Sequence, residues 1–212
     1  MSRTNTDRVA AHHRSRGLSR LGAVAAVAAA VVLLAGLAGL VVSSPDLGLR
    51  NWLVVLFQIN SGIGRFPAEP LRVLNPVDVA ALVLVGLAFL GLWPGPNAAH
   101  RVWMGVAVAL PLAGIAVLLV TGQAGRSSVM ASGLVVAILM LMGRGTRRLG
   151  VAGILANALL LAGDFATGDS PVPVVAVLVA TGYLLLVAWF LLIAARLLGG
   201  SPRRSIAAGA AP

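Results

Sequence analysis

Long apolar runs alternate with short polar breaks along the chain, and six of those runs approach the length of a membrane-crossing helix. The first, from Leu21 to Val42, holds 22 residues without a charge. The others run from about Val77 to Trp93, Val102 to Thr121, Ser127 to Met142, Leu149 to Asp164 and Val174 to Leu198. A hydrocarbon core takes about 20 helical residues, so the fourth and fifth runs need flanking residues to complete a span. Strands are a poor alternative, because open sheet edges leave unpaired backbone groups in lipid. The pattern predicts an all-α integral membrane protein: a polytopic bundle of six transmembrane helices over residues 21–198, between tails at 1–20 and 199–212.

The first run follows a basic leader, as a signal peptide would, but it exceeds the usual apolar core of about 7–15 residues. No clear Ala-x-Ala site follows it. It is therefore expected to stay as a retained first helix. Six crossings divide the arginines unevenly. Arg3, Arg8, Arg14, Arg16, Arg20, Arg101, Arg144, Arg147, Arg148, Arg196, Arg203 and Arg204 fall on one side; only Arg50, Arg65, Arg72 and Arg126 fall on the other. Cytoplasmic loops carry the excess of basic residues, so both termini are expected in the cytoplasm of a bacterial-type plasma membrane.

The sizeable loop, residues 43–76, then lies outside. Within it Leu49–Ile59 is too short to span and too apolar to float free, and Trp52 suits the headgroup level. An interfacial or re-entrant helix is expected there, or alternatively a lid over the outer helix ends.

Composition sharpens this reading. Of 212 residues, 59% are hydrophobic and 10% charged, against about 25% charged in an ordinary soluble domain. The net charge of +10 does not indicate nucleic-acid binding, because the arginines border apolar runs and aromatic RNA-binding motifs are missing. With no cysteine in the chain, disulfides, thiolate metal sites and cysteine nucleophiles are excluded. The predicted partners are the lipid bilayer and other membrane proteins, met through small-residue helix faces.

Two groups of residues are candidates for a site. Asn75-Pro-Val-Asp78 reads as a helix start, with an N-cap, a first-turn proline and an anion near freed N–H groups. Arg126 precedes the fourth run and Asp164 closes the fifth, so Asp78, Arg126 and Asp164 should share one membrane level, where Arg126 could bridge Asp78 or Asp164 and tie the outer ends together. The second group is an intramembrane polar face: Ser128, Ser132, Asn157, Thr181 and Tyr183. An amide facing lipid would go unsatisfied, so Asn157 is expected to face the bundle. Pro111 interrupts the third run and frees the carbonyl of Ala107, four residues earlier.

Ala131-Ser132-Gly133 on the fourth helix, six spans, a cytoplasmic N-terminus and a membrane-associated loop after helix one resemble the rhomboid intramembrane proteases. That resemblance implies Ser132 as nucleophile and a histidine base on helix six. The sequence departs from the pattern there. The chain's histidines are His12, His13 and His100, and Val174–Leu198 contains none, whereas a serine hydroxyl needs a base within about 3 Å. Ser132 is therefore expected to pack or hydrogen-bond. Ser128 and Ser132, spaced i, i+4 beside Gly125 and Gly133, form a small-residue stripe of the kind that lets helices approach in lipid. Ala152 with Ala156, and Ala35 with Gly39, repeat the spacing.

No Asp, Glu, Lys, Arg or His lies mid-span, so a proton relay has no parts, and no Walker loop is present. No catalytic residue, cofactor or metal site is expected. The function predicted is an accessory or scaffolding one. The alternatives are a small-solute transporter or channel with a polar cavity near the outer leaflet, and a degenerate rhomboid-like protein.

Overall fold

The computed structural model describes residues 17–35, 76–93, 98–121, 126–143, 145–165 and 173–199. Among them the chain is all-helical, with six helices: α1 (Gly17–Ala35), α2 (Pro76–Leu90), α3 (Ala98–Thr121), α4 (Arg126–Met142), α5 (Arg147–Phe165) and α6 (Pro173–Gly199). Each overlies one of the six apolar runs. The expected interfacial or re-entrant segment, with the rest of the loop up to residue 75, lies outside the described residues, as do most of the two tails.

Three helices are long and apolar enough to cross a membrane: Gly17–Ala35, Ala98–Val117 and Val177–Gly199. The helix α2 has 15 residues and α4 has 17. At about 1.5 Å per residue these reach roughly 22 and 25 Å, short of a core about 30 Å thick.

Helices adjacent in sequence pack side by side, α2 on α3, α3 on α4, α4 on α5 and α5 on α6. Short connections force this up-and-down order. Between α4 and α5 the polar groups of Thr146 are spent locally. The Thr146 hydroxyl donates to the carbonyls of Met140 (2.6 Å) and Gly143 (3.2 Å), while the Thr146 carbonyl accepts the first bond of α5 from Gly150 N–H at 2.9 Å. One residue thus ends one helix and starts the next.

Burial in α1 runs opposite to that of a water-soluble helix. Gly22, Ala23, Ala25, Ala26, Ala29 and Ala30 face inward, whereas Leu21, Val24, Val27, Val31 and Leu34 face out; Ala26 is 0% exposed and Val24 68%. In water this would leave the large side chains unburied. In lipid, apolar side chains need no shelter, and the small ones let helices come close. The other helices also leave large apolar side chains outside, among them Val102, Leu112, Leu155, Leu184 and Leu192. An apolar exterior of this extent fits a lipid environment and not water.

A close backbone approach lies between α1 and the end of α2. A Cβ placed on Gly22 would stand 2.5 Å from Gly91 Cα and 3.1 Å from the Ala88 carbonyl oxygen. Only glycine at both positions permits that distance. Two residues before Gly91, Phe89 of α2 meets Trp189 and Phe190 of α6, with ring centroids 6.0 and 6.1 Å away. All three rings are buried, which brings α6 back against α2.

Candidate functional site

Pro111 cannot donate a hydrogen bond, so the Ala107 carbonyl one turn earlier loses its helical partner. A free carbonyl in lipid is costly. The hydroxyl of Ser132, on the neighbouring α4, donates to it. Ser132, Ala107 and Pro111 are all fully buried. The hydroxyl is thereby committed to a backbone repair between α3 and α4, and the break expected from the proline is closed from the next helix.

Asn157 lies one helix further on and is also 0% exposed. Its Nδ2 donates to the Gly153 carbonyl of its own helix at 2.8 Å. Its amide group presses on α4 at Gly133, where an added Cβ would stand 2.7 Å from Asn157 Cγ. Gly133 therefore serves as a seat for an amide. The same interface continues at Ala137, whose Cβ would lie 2.8 Å from a Cβ on Gly153, and at Leu141, whose backbone N would lie 2.5 Å from one on Gly150. Positions 133, 137 and 141 of α4 thus pair with 157, 153 and 150 of α5, a continuous antiparallel register.

Gly153 has a second neighbour. A Cβ there would meet the Trp189 indole at 2.5 Å. Trp189 and Asn157 therefore both abut Gly153, from α6 and from α5. Each carries a buried polar atom without a hydrogen-bond partner among the described residues: Trp189 Nε1, a donor, and Asn157 Oδ1, an acceptor. Trp189 and its glycine niche had no clear signal in the sequence beyond the Gly150-x-x-Gly153 spacing.

The five expected polar-face residues therefore divide. Ser132 and Asn157 are brought to the α4 interior face, beside the adjacent Gly133. Ser128 shares the face of Ser132 and is half-buried. Tyr183 is half-buried against the core. Thr181 is exposed on α6, its hydroxyl turned back to the Val177 carbonyl at 2.8 Å. For the outer charge cluster, Asp78 and Arg126 fall in the first turns of α2 and α4, and Asp164 in the last turn of α5. Their side chains lie outside the described residues. Of the small-residue pairs, Ala156 is buried and Ala152 half-buried, Ala35 is exposed, and Gly39 lies outside the described residues.

The opposite end of the bundle holds the described arginine side chains: Arg20 at the start of α1, Arg101 in α3, Arg147 and Arg148 opening α5, and Arg196 closing α6. Connectivity puts them there, since the α2–α3 and α4–α5 turns lie at one end and Gly22 meets Gly91 beside them. Trp93 and Trp103 share this level, with Trp93 packed 3.3 Å from a Cβ on Gly105 and Trp103 half exposed. Tryptophans beside cations are characteristic of a membrane–water boundary.

A cavity of about 770 Å³ opens at this end between α3 and α4. Met104, Val136 and Leu139 line it within the bundle, while His100, Thr146 and Arg196 line its mouth. A second depression of about 520 Å³ is lined by Gly145, Arg147, Arg148, Leu149 and Val151. No group of three or more His, Cys, Asp or Glu with metal-binding geometry occurs among the described residues. No protein-family model, curated protein or solved structure matches the chain.

Proposed function

We propose that the chain is a six-span integral membrane protein of a bacterial-type plasma membrane, with both termini cytoplasmic and an accessory or scaffolding role. The observation that carries this reading is the way α1 is built. Its inner face is glycine and alanine, its outer face leucine and valine, which is the arrangement for docking helices in lipid. The deepest hydroxyl supports the same reading, since Ser132 bonds to a backbone carbonyl. The arginines at one end support the cytoplasmic assignment of that end through the basic bias of inner loops.

A transporter or channel is the second reading, favoured by one observation. Asn157 Oδ1 and Trp189 Nε1 are an unpartnered acceptor and donor on the two sides of Gly153, and buried polar groups normally have partners. Small polar solutes or waters that reach these atoms would satisfy them.

The natural absence of cysteine makes one experiment decisive. Single cysteines at Asp46→Cys, Thr146→Cys, Ser132→Cys and Asn157→Cys are exposed in intact cells to a membrane-impermeant maleimide. The proposed topology requires labelling at 46 and none at 146; the reverse pattern overturns it. A scaffold requires silence at 132 and 157. Labelling at 157 from outside would establish a water path and favour the transporter.

A further inference from the structure

The cavity at the arginine-bearing end combines two chemistries that belong to one kind of molecule. Its inner wall is apolar, made by Met104 and Val136, with the half-exposed Trp103 beside them. Its mouth carries the exposed Arg196, whose guanidinium reaches to within 3.5 Å of a Cβ on Gly145 in the α4–α5 turn. Arg147 and Arg148, next in sequence after the Thr146 of the cavity lining, line a second depression together with Gly145. No Asp or Glu lines either space among the described residues, so the field at the mouth is of one sign.

From these observations we infer that this cavity holds an anionic phospholipid, its phosphate at Arg196 and an acyl chain between α3 and α4. The volume lies within the range of about 300–1,000 Å³ usual for sites of small ligands. Guanidinium groups match phosphate oxygens with paired donors. Basic pockets between transmembrane helices on the cytoplasmic side suit acidic headgroups, and each cation near such a surface adds appreciably to binding. A zwitterionic lipid offers the same chain but places its own cation beside the arginines. Free phosphate offers the charge and leaves the apolar wall bare. The inference depends on the chain being membrane-embedded, but not on whether it acts as a scaffold or a transporter.

The test is native mass spectrometry of the full chain in mild detergent, stripped of lipid and then given phosphatidylglycerol, phosphatidylcholine or inorganic phosphate. The expected result is a retained phosphatidylglycerol adduct. It should weaken about fivefold in Arg196→Gln, in line with one lost basic contact, and less in Arg196→Lys, which keeps the charge but not the paired donors. Val135 also lines the cavity, and Val135→Phe, which narrows the apolar wall, should weaken the adduct while leaving Arg196 in place. Arg20→Gln, at the same end but off the cavity, should not change it. Equal retention of phosphatidylcholine would overturn the inference, and so would an undiminished adduct in Arg196→Gln. Displacement of the lipid by phosphate alone would make the site one for a free anion. An adduct that appears only after residues 201–212 are removed would make the chain's own tail the occupant, again overturning the proposal. A misplaced topology would appear separately, in the cysteine labelling, and would leave these lipid ratios unchanged.

Discussion

Two glycine contacts hold helices together in different ways. At the α1–α2 contact, Gly22 and Gly91 bring backbone against backbone, and the surrounding α1 surface is alanine. At the α4–α5–α6 contact, Gly133 and Gly153 make room for the Asn157 amide and the Trp189 indole. The first is a smooth seam that fixes a distance between helices. The second seats two shaped side chains and so fixes a register. In lipid neither gains from the hydrophobic effect, and both rely on close van der Waals contact. The difference teaches that small residues alone bring helices together, while a seated side chain selects where they stop.

The largest expected effect is at the smooth seam. Gly91→Val sets a branched side chain against Gly22 Cα, which cannot yield, and should cost about 3 kcal/mol, the upper end for overpacking. Thermal unfolding in detergent measures it. Gly22→Val should cost as much, and the double variant little more, since the helices separate only once. Two single variants that melt with the wild type would remove the seam from the account.

Next comes the seated side chain. Gly153→Ala drives a methyl into the Trp189 indole and should cost about 2 kcal/mol. Trp189→Leu should recover part of that loss in the double variant, because the obstacle is a side chain. No such rescue is available at Gly91, and finding one there would abolish the distinction.

A smaller effect is expected at the α3–α4 contact. Ser132→Ala should cost about 1 kcal/mol, as interhelical hydrogen bonds in membranes do. In a Pro111→Ala background the cost should vanish, because residue 111 then supplies its own N–H to the Ala107 carbonyl. Equal costs in both backgrounds would mean that the hydroxyl serves something else. Smallest is Thr181→Val, on the exposed face of α6, which should change stability by less than about 0.5 kcal/mol.

The six helices were legible because long apolar runs leave few other structures possible in lipid, and the freed Ala107 carbonyl was legible because proline acts at a fixed offset. The donor that reaches it was not. Ser132 stood out as a small residue near a glycine, but the pairing of α3 with α4 depends on crossing geometry that no local pattern encodes. The register of α4 on α5 was hidden for the same reason: Gly150 and Gly153 are two of 25 glycines in the chain, and only the helix opposite singles them out. The cavity by Arg196 leaves no local pattern, because its walls come from Leu92, α3, α4, Thr146 and Arg196, which are spread along the sequence. The charges at Asp78, Arg126 and Asp164, prominent in the sequence, have side chains outside the described residues and stay a proposal.

The inverted cross-section of α1 has a consequence for how this helix tolerates change. What separates its two faces is volume, since both are apolar. Position 24 should accept almost any greasy side chain during genetic drift, whereas position 26 should accept little beyond glycine, alanine or serine. A saturation library of α1 would therefore sort by size and barely by hydrophobicity. Hydropathy plots, blind to that axis, would score the tolerated and the lethal variants alike.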